Sequence, residues 1–185
     1  GKQGNIDAAI EKAKATENIA KQNGKPGALA QAQYQLASLY YKKAQTYEQT
    51  SKTYKQLTTQ ASRLYKNAYE NANFSTSDTD EKLKSISNAA SFQAGQLAYQ
   101  LGEFDDAIAA LTSFTEKFPN DPKSIAARNY LAWSYYQSAG EQKTDKQRKQ
   151  LFIQAADAFE KLSQEFSDDE RAAEWLYQAG QASTE

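Results

Sequence analysis

The chain has 185 residues with no Cys, His or Met, which excludes Cys/His zinc sites, thiol nucleophiles and Ser-His-Asp triads because each needs an imidazole or a thiolate. Val is also absent, and seven Ile stand against 31 Ala and 13 Leu, so the composition favours helices over strands and predicts an all-α fold. The formal net charge is −1 and no run of clustered Lys and Arg occurs, so we expect no nucleic-acid partner.

Gly and Pro residues divide the chain into eight predicted helices. Gly24 to Gly27 break the first segment, no Gly or Pro follows until Gly95, and breakers recur from Gly102 to Gly140. Between these breakers, apolar residues recur at helical spacing, which gives each helix one buried stripe. The predicted helices span 5–23, 28–49, 52–73, 78–101, 103–118, 122–139, 145–166 and 168–183.

Residues that cap free backbone N–H groups mark several predicted helix starts. Three pairs have the spacing of a capping box: Asp78 with Glu81, Thr144 with Gln147, and Ser167 with Glu170. Asp121 before Pro122 is a further predicted cap, since Pro suits the first turn of a helix.

Three pairs of carboxylates also lie at predicted helix starts. They are Asp78 with Asp80, Asp105 with Asp106, and Asp168 with Asp169. Acidic side chains at these positions cap N–H groups and suit the helix dipole. We therefore assign the pairs to capping rather than to acid–base chemistry or cation binding, and we expect no metal site, no cofactor and no enzymatic activity.

The chain contains internal repeats. The tetrapeptide at 93–96 recurs at 178–181, and the segment 107–118 is echoed at 155–166, an offset of 48 residues. Repeats of this length, each with two predicted helices, indicate helical hairpins that bury their apolar stripes against neighbouring hairpins.

The segment from Ala94 to Pro119 resembles a tetratricopeptide repeat. Small Gly95 and Ala107 lie where two helices pack closely in that family, Gly102 lies at the turn between them, and Pro119 ends the unit. The resemblance implies an antiparallel helix-hairpin solenoid, a superhelix of about eight helices in one domain over residues 1–185. In this arrangement the helix 5–23 precedes repeats at 28–73, 78–119 and 122–166, and 168–183 forms a partial repeat.

Two of the predicted hairpins have longer arms than the family pattern. Ala37 and Ala61 are 24 positions apart, and Ala132 and Ala155 are 23 apart. If both arms of a hairpin are longer by about six residues, the small residues still lie opposite each other where the two helices cross. This predicts turns near residue 49 and at 140–144. The alternative for the first hairpin is one long helix over 28–73, where Tyr and Ala recur every seven residues as in a coiled coil.

The first helix of each hairpin lines a concave groove in tetratricopeptide repeats. Carried over to matching positions, the resemblance implies that a protein or peptide ligand is bound by Tyr34, Tyr41, Lys42, Phe92, Gln96, Tyr99, Asn129, Trp133, Tyr136 and Tyr177. Ser38, Gln100, Gln137 and Gln181 occupy further matching positions. Tyr and Trp offer large rigid contact areas, and amides can bond an extended backbone. The alternative is that neighbouring helices cover these rings as ordinary core.

The segment 114–122 is similar to repeats of bacterial envelope adaptors, such as outer-membrane assembly lipoproteins and periplasmic Tol-Pal coordinators. It favours a bacterial, extracytoplasmic location in the periplasm or envelope. The longest apolar run is 107–111, far shorter than the roughly 20 residues of a spanning helix, so we expect no direct membrane insertion. Because the chain starts at Gly1 without Met, we expect it to be a piece of a longer protein.

The predicted function is that of a non-catalytic scaffold that holds an extended peptide or a partner protein. Residues 1–74 carry 11 Lys and Arg against 5 Asp and Glu, whereas 75–185 carry 11 against 18. Such opposite charges can steer partners or favour head-to-tail association; the alternative is two solvated faces that differ by drift. The alternative function is a structural or self-assembling module of a larger envelope protein, whose end helices pair with other copies or with the rest of a longer chain.

Overall fold

The computed structural model describes residues 2–74 and 80–185, and these residues form eight α-helices without a strand. The helices are α1 (Lys2–Gln22), α2 (Pro26–Ala44), α3 (Lys52–Phe74), α4 (Glu81–Leu101), α5 (Phe104–Lys117), α6 (Ser124–Glu141), α7 (Asp145–Glu165) and α8 (Ala172–Ser183). Each corresponds to one predicted helix, so the all-α prediction is confirmed.

The chain forms two compact units. Unit 1 covers Gly1–Leu101 and contains α1 to α4, and unit 2 covers Gly102–Glu185 and contains α5 to α8. The division falls within the predicted repeat 78–119, so the pairing of α4 with α5 in a single repeat domain stays a prediction. At the division Gly102 has a φ of 78°, a left-handed conformation that side chains disfavour.

A turn at 45–51 separates α2 from α3 within unit 1. The two helices pack against each other, and Ala37 and Ala61 are fully buried. Ser51 Oγ accepts from the backbone N–H of Tyr54 at 3.1 Å and so caps α3. The turn includes the predicted position near residue 49, so the lengthened hairpin is confirmed and the single helix over 28–73 is wrong. The predicted end of α2 at 49 is also wrong, since α2 ends at Ala44.

Hydrogen bonds between polar side chains connect three helices of unit 1. Gln33 on α2 donates through Nε2 to Glu17 Oε1 on α1 at 3.3 Å. Its Oε1 accepts from Asn71 Nδ2 on α3 at 2.9 Å. Glu17 also forms an ion pair with Lys21 at 2.9 Å. Buried polar groups without partners destabilise a fold, so these bonds favour one register of α1, α2 and α3.

The core of unit 2 is built from helices that are consecutive in sequence. α5 packs on α6, α6 on α7, and α7 on α8. Phe159 on α7 and Trp175 on α8 are buried in one apolar cluster with Leu162. The turn predicted at 140–144 separates α6 from α7, and Thr144 Oγ1 accepts from Gln147 N at 3.3 Å, which confirms the predicted cap.

Two turns in unit 2, which lie 48 residues apart in the sequence, have the same hydrogen bonds. In the first, Asp121 Oδ1 accepts from Lys123 N at 2.8 Å, and in the second Asp169 Oδ1 accepts from Arg171 N at 2.9 Å. The backbone N–H of Ser124 donates to Asp121 O at 2.8 Å, and that of Ala172 donates to Asp169 O at 2.9 Å. The repeat seen in the sequence is therefore also a repeat of backbone structure.

These turns correct two predicted helix starts. α6 begins at Ser124 instead of 122, and α8 begins at Ala172 instead of 168. The predicted caps at Ser167 and Asp121 are wrong, because within the described residues no side chain caps the first turn of α8 or of α6. Asp169 and Asp121 instead accept from backbone N–H groups in the turns that precede these helices. The start of α4 at Glu81 is capped by Asp80 Oδ1, which accepts from the backbone N–H groups of residues 82 and 83 at 3.0 and 3.2 Å. The predicted cap Asp78 lies outside the described residues.

Acid is expected to weaken unit 2 through Asp169. The guanidinium and backbone N–H of Arg171 hydrogen-bond to this carboxylate and lower its pKa from 3.8 to about 2. Because the unfolded chain takes up this proton at higher pH than the folded chain, the stabilisation is present above about pH 4 and is lost as the pH falls towards about 2. Asp169→Asn should therefore lower stability at neutral pH more than at acidic pH.

Urea unfolding midpoints of parent and variant, measured at neutral pH and near pH 2, check this expectation. Asp168→Asn at the neighbouring exposed carboxylate is the matched control, and its loss of stability should differ less between the two pH values. An equal loss of stability in Asp169→Asn at both pH values would contradict the expectation.

Within the described residues, every helix is too short or too polar to span a bilayer.

Candidate binding surfaces

The residues predicted to line a groove are divided between the two units. Unit 1 holds Tyr34, Tyr41, Lys42, Phe92, Gln96 and Tyr99, and unit 2 holds Asn129, Trp133, Tyr136 and Tyr177. Each unit therefore presents its own set of candidate residues, and these sets differ in how far neighbouring helices cover them.

Two of the predicted residues in unit 1 belong largely to its core. Phe92 exposes only 6% of its surface. The Tyr34 ring contacts the Tyr65 ring edge-on, with 5.5 Å between centroids. It is half-buried and packs on Ala30 and Ile86. Phe92 therefore has little surface left for a ligand, whereas Tyr34 keeps part of its surface exposed.

The Tyr65 phenol is held inside unit 1. Its OH shares a hydrogen bond of 3.0 Å with Ser38 Oγ, which in turn donates to Tyr34 O at 2.9 Å. Burial raises the pKa of Tyr65 above 10.0. The phenol is therefore neutral at physiological pH and serves as a structural link between α2 and α3.

An open pocket in unit 1 brings two predicted groove residues together with three others. It has a volume of about 340 Å³ and is lined by Tyr41, Gln45, Gln49, Tyr54 and Gln100. We call it the Tyr–Gln pocket. The end of α2, the 45–51 turn, the start of α3 and the end of α4 supply these residues. Its described lining thus consists of aromatic rings and neutral amides.

Sequence reasoning identified Tyr41 and Gln100 but missed Gln45, Gln49 and Tyr54. The family pattern places binding residues on first helices, whereas these three lie in the turn and on the second helix. The longer arms of this hairpin were the sequence signal for these three residues. Longer arms place the turn, and the residues beside it, beyond the part of the hairpin that packs closely in the family.

The remaining predicted residues of unit 1 are on α2 and α4. Lys42 is exposed in the last turn of α2, and Gln96 and Tyr99 are half-buried on α4. Lys42 therefore extends a positive charge into solvent close in sequence to Tyr41 of the Tyr–Gln pocket.

Three of the predicted residues in unit 2 have partners within the fold. The Trp133 ring packs edge-on against Phe159 at 5.1 Å between centroids, and Tyr136 packs against Phe152 at 5.2 Å. Trp133 and Tyr136 keep part of their surface exposed. Asn129 Oδ1 accepts from Trp175 Nε1 at 2.9 Å and so joins α6 to α8. This role of Asn129 was not predicted.

Tyr177 on α8 is the most exposed ring among the predicted residues of unit 2. It exposes 63% of its surface, and the adjacent Leu176 exposes 59%. Gln181 Nε2 donates to the Tyr177 hydroxyl at 3.0 Å. Both apolar side chains of this pair are accessible on the last helix.

The carboxylate pairs at helix starts make structural hydrogen bonds. Asp80 caps α4, Asp105 accepts from Ser138 Oγ at 3.0 Å, and Asp169 binds Arg171. Over residues 2–74 and 80–185, the structure brings together no group of three acidic side chains that could hold a metal ion.

Comparison with known proteins assigns no family. No model of a known protein family matches the chain, and no curated protein matches it in sequence.

Proposed function

We propose that this chain is a non-catalytic scaffold that binds an extended peptide segment of a partner protein, and that the Tyr–Gln pocket is one of its contact sites. The observation that carries the proposal is the convergence of two Tyr rings and three Gln amides round one open pocket. Two of these residues, Tyr41 and Gln100, stand at positions that the tetratricopeptide resemblance assigns to ligand binding.

The chemistry of the pocket suits a peptide. A Tyr ring provides a large apolar contact at low cost in side-chain entropy. Each Gln side chain offers both a carbonyl acceptor and an amide donor, so it can match the alternating C=O and N–H groups of an extended backbone. Lys42 is exposed at the end of α2 but does not line the pocket, and its charge would favour an acidic residue elsewhere in the ligand.

The tetratricopeptide character of the chain and its location in a bacterial envelope belong to the same proposal. The tetratricopeptide character is supported by the antiparallel hairpin of α2 and α3, by the matching turns at Asp121 and Asp169 and by the 94–119 pattern. The envelope location is supported by the sequence of the segment 114–122.

A peptide-binding assay tests the proposal. Peptides selected from a random displayed library against the parent chain should include one that Tyr54→Ala binds about thirtyfold more weakly, because truncation of a central aromatic commonly costs about 2 kcal/mol. Isothermal titration calorimetry gives the dissociation constants, and circular dichroism checks that the helices persist.

A pair of Gln variants provides the matched control. Gln49→Ala removes an amide of the pocket, whereas Gln35→Ala removes an exposed amide of α2 that does not line it. We expect weaker binding only for Gln49→Ala. Equal affinities for parent, Tyr54→Ala and Gln49→Ala with every selected peptide would show that the pocket binds none of them.

The alternative function, a structural or self-assembling module, is favoured by the exposed pair Leu176 and Tyr177 on α8. Apolar side chains of this size on an outer helix suit contact with another copy. Light scattering over a range of concentrations distinguishes the two functions, since only self-assembly predicts a mass that rises with concentration.

A further inference from the structure

Unit 2 contains a second open surface, which lies outside the predicted binding residues. α5 and α7 both pack on α6, and a cleft of about 410 Å³ opens along these three helices. We call it the α6 cleft. It is lined by Thr115, Glu116, Arg128, Leu131, Tyr135, Gln154, Asp157, Ala158, Lys161, Leu162 and Glu165.

The α6 cleft uses a different face of α6 from the predicted groove. Its residues on α6 are Arg128, Leu131 and Tyr135, whereas the predicted residues were Asn129, Trp133 and Tyr136. At 3.6 residues per turn, the two sets point in directions roughly 130° apart. The cleft is therefore separate from the surface that the family resemblance implied.

The cleft combines an apolar floor with a charged rim. Its apolar side chains, Leu131, Tyr135, Ala158 and Leu162, are half-buried or buried. Its acidic side chains and Lys161 are exposed. An apolar floor within an open cleft favours a ligand that brings its own apolar side chain, since the contact removes both surfaces from water.

The charges of the rim favour a cationic ligand. Arg128 forms an ion pair with Glu165 and lies 5.8 Å from the centre of the Phe166 ring, so its charge is already engaged. Among the other described residues that line the cleft, Glu116 and Asp157 are acidic and Lys161 is the one basic residue. Unit 2 as a whole has nine Lys and Arg against fifteen Asp and Glu, a net charge of −6, which adds a long-range attraction for positive charge.

We propose that the α6 cleft binds a short segment of a partner protein in which one large apolar side chain is flanked by Lys or Arg. The apolar side chain packs on Leu131 and Tyr135, and the flanking cations pair with Glu116 and Asp157. This site is additional to the Tyr–Gln pocket and makes the chain a scaffold with two unlike binding surfaces, one in each unit.

Three short synthetic peptides labelled with fluorescein test the proposal by fluorescence anisotropy. The first has one leucine flanked by lysines, the second has serine in place of the leucine, and the third has glutamates in place of the lysines. We expect the first peptide to bind the parent chain at least about tenfold more tightly than either control peptide, since like charges across an interface are strongly unfavourable. Binding should also weaken at higher salt.

Charge reversal locates the site. The double variant Glu116→Lys/Asp157→Lys should bind the first peptide about tenfold or more weakly. Both changed residues are exposed, so the helices should persist by circular dichroism. The double variant Glu141→Lys/Glu185→Lys makes the same change of net charge at two exposed residues outside the cleft and should alter affinity by less than about threefold.

Three results would overturn the proposal. The first is no measurable binding of the leucine–lysine peptide to the parent chain. The second is equal binding of all three peptides, which would mean that the cleft does not recognise an apolar side chain beside cations. The third is equal losses of affinity for the double variant in the cleft and the double control variant, which would mean that attraction to the acidic unit as a whole accounts for binding.

Discussion

Replacing Phe159 with Ala is expected to lower the free energy of unfolding of unit 2 by about 3 to 5 kcal/mol. Phe159 is completely buried, and its ring packs edge-on against Trp133. The substitution removes this apolar contact from the core of unit 2 and leaves a cavity that the surrounding helices fill only in part. Among the core positions of unit 2, few side chains bury a larger apolar surface.

Urea unfolding followed by tryptophan fluorescence measures this loss. Both Trp residues of the chain, Trp133 and Trp175, lie in unit 2, so their emission reports on the unit that carries the substitution. Ile153→Ala on the same helix is the control, since Ile153 is 46% exposed and should cost about 1 kcal/mol or less. Similar losses for the two variants would mean that Phe159 is not part of a tightly packed core.

Replacing Ala37 with Leu is expected to destabilise unit 1 by about 1 to 3 kcal/mol, because a larger side chain overpacks a close helix contact. Ala37 on α2 and Ala61 on α3 are both fully buried. Because neither position has exposed surface, a leucine there would force a shift of backbone or of neighbouring rotamers.

Thermal unfolding followed by circular dichroism measures the effect on unit 1. Ala28→Leu introduces the same side chain at an exposed position of α2, and its midpoint should stay close to that of the parent. If Ala37→Leu also unfolds with the parent, the close contact between α2 and α3 does not exist at this position.

The positions of the helices follow from local features of the sequence. The cap Thr144 and the turns at 45–51 and between α6 and α7 were predicted from capping spacing and from the midpoints between small residues. Helix caps and breakers act within a few residues, so each can be recognised without knowledge of the rest of the fold.

The error at the start of α8 arose where two local signals competed. Ser167 with Glu170 has the spacing of a capping box, but in the structure no described side chain caps the first turn of α8 and Asp169 bonds to Arg171 in the turn before it. The bidentate contact of the Arg171 guanidinium with Asp169 and the contact of Arg171 with the Trp175 ring at 4.9 Å favour that choice. Neither contact follows from the capping motif alone.

The binding surfaces were only partly predictable, because exposure depends on neighbouring helices. The tetratricopeptide resemblance implied groove positions for Tyr41 and Gln100, and both residues line the Tyr–Gln pocket. Phe92 stands at an equivalent position but is buried. The α6 cleft was not predicted, since its lining comes from three helices whose pairing is set by tertiary contacts.

The sequence by itself determined that this protein is helical, where its helices lie and where its small residues allow close packing, because helix periodicity and capping are encoded within one or two turns. Only the tertiary structure decided which polar and aromatic side chains remain accessible. Asn129 illustrates the reason, since its amide oxygen is 2.9 Å from Trp175 Nε1, a residue 46 positions away. Whether a side chain on a helix meets solvent or a partner depends on such distant contacts, which no local pattern specifies.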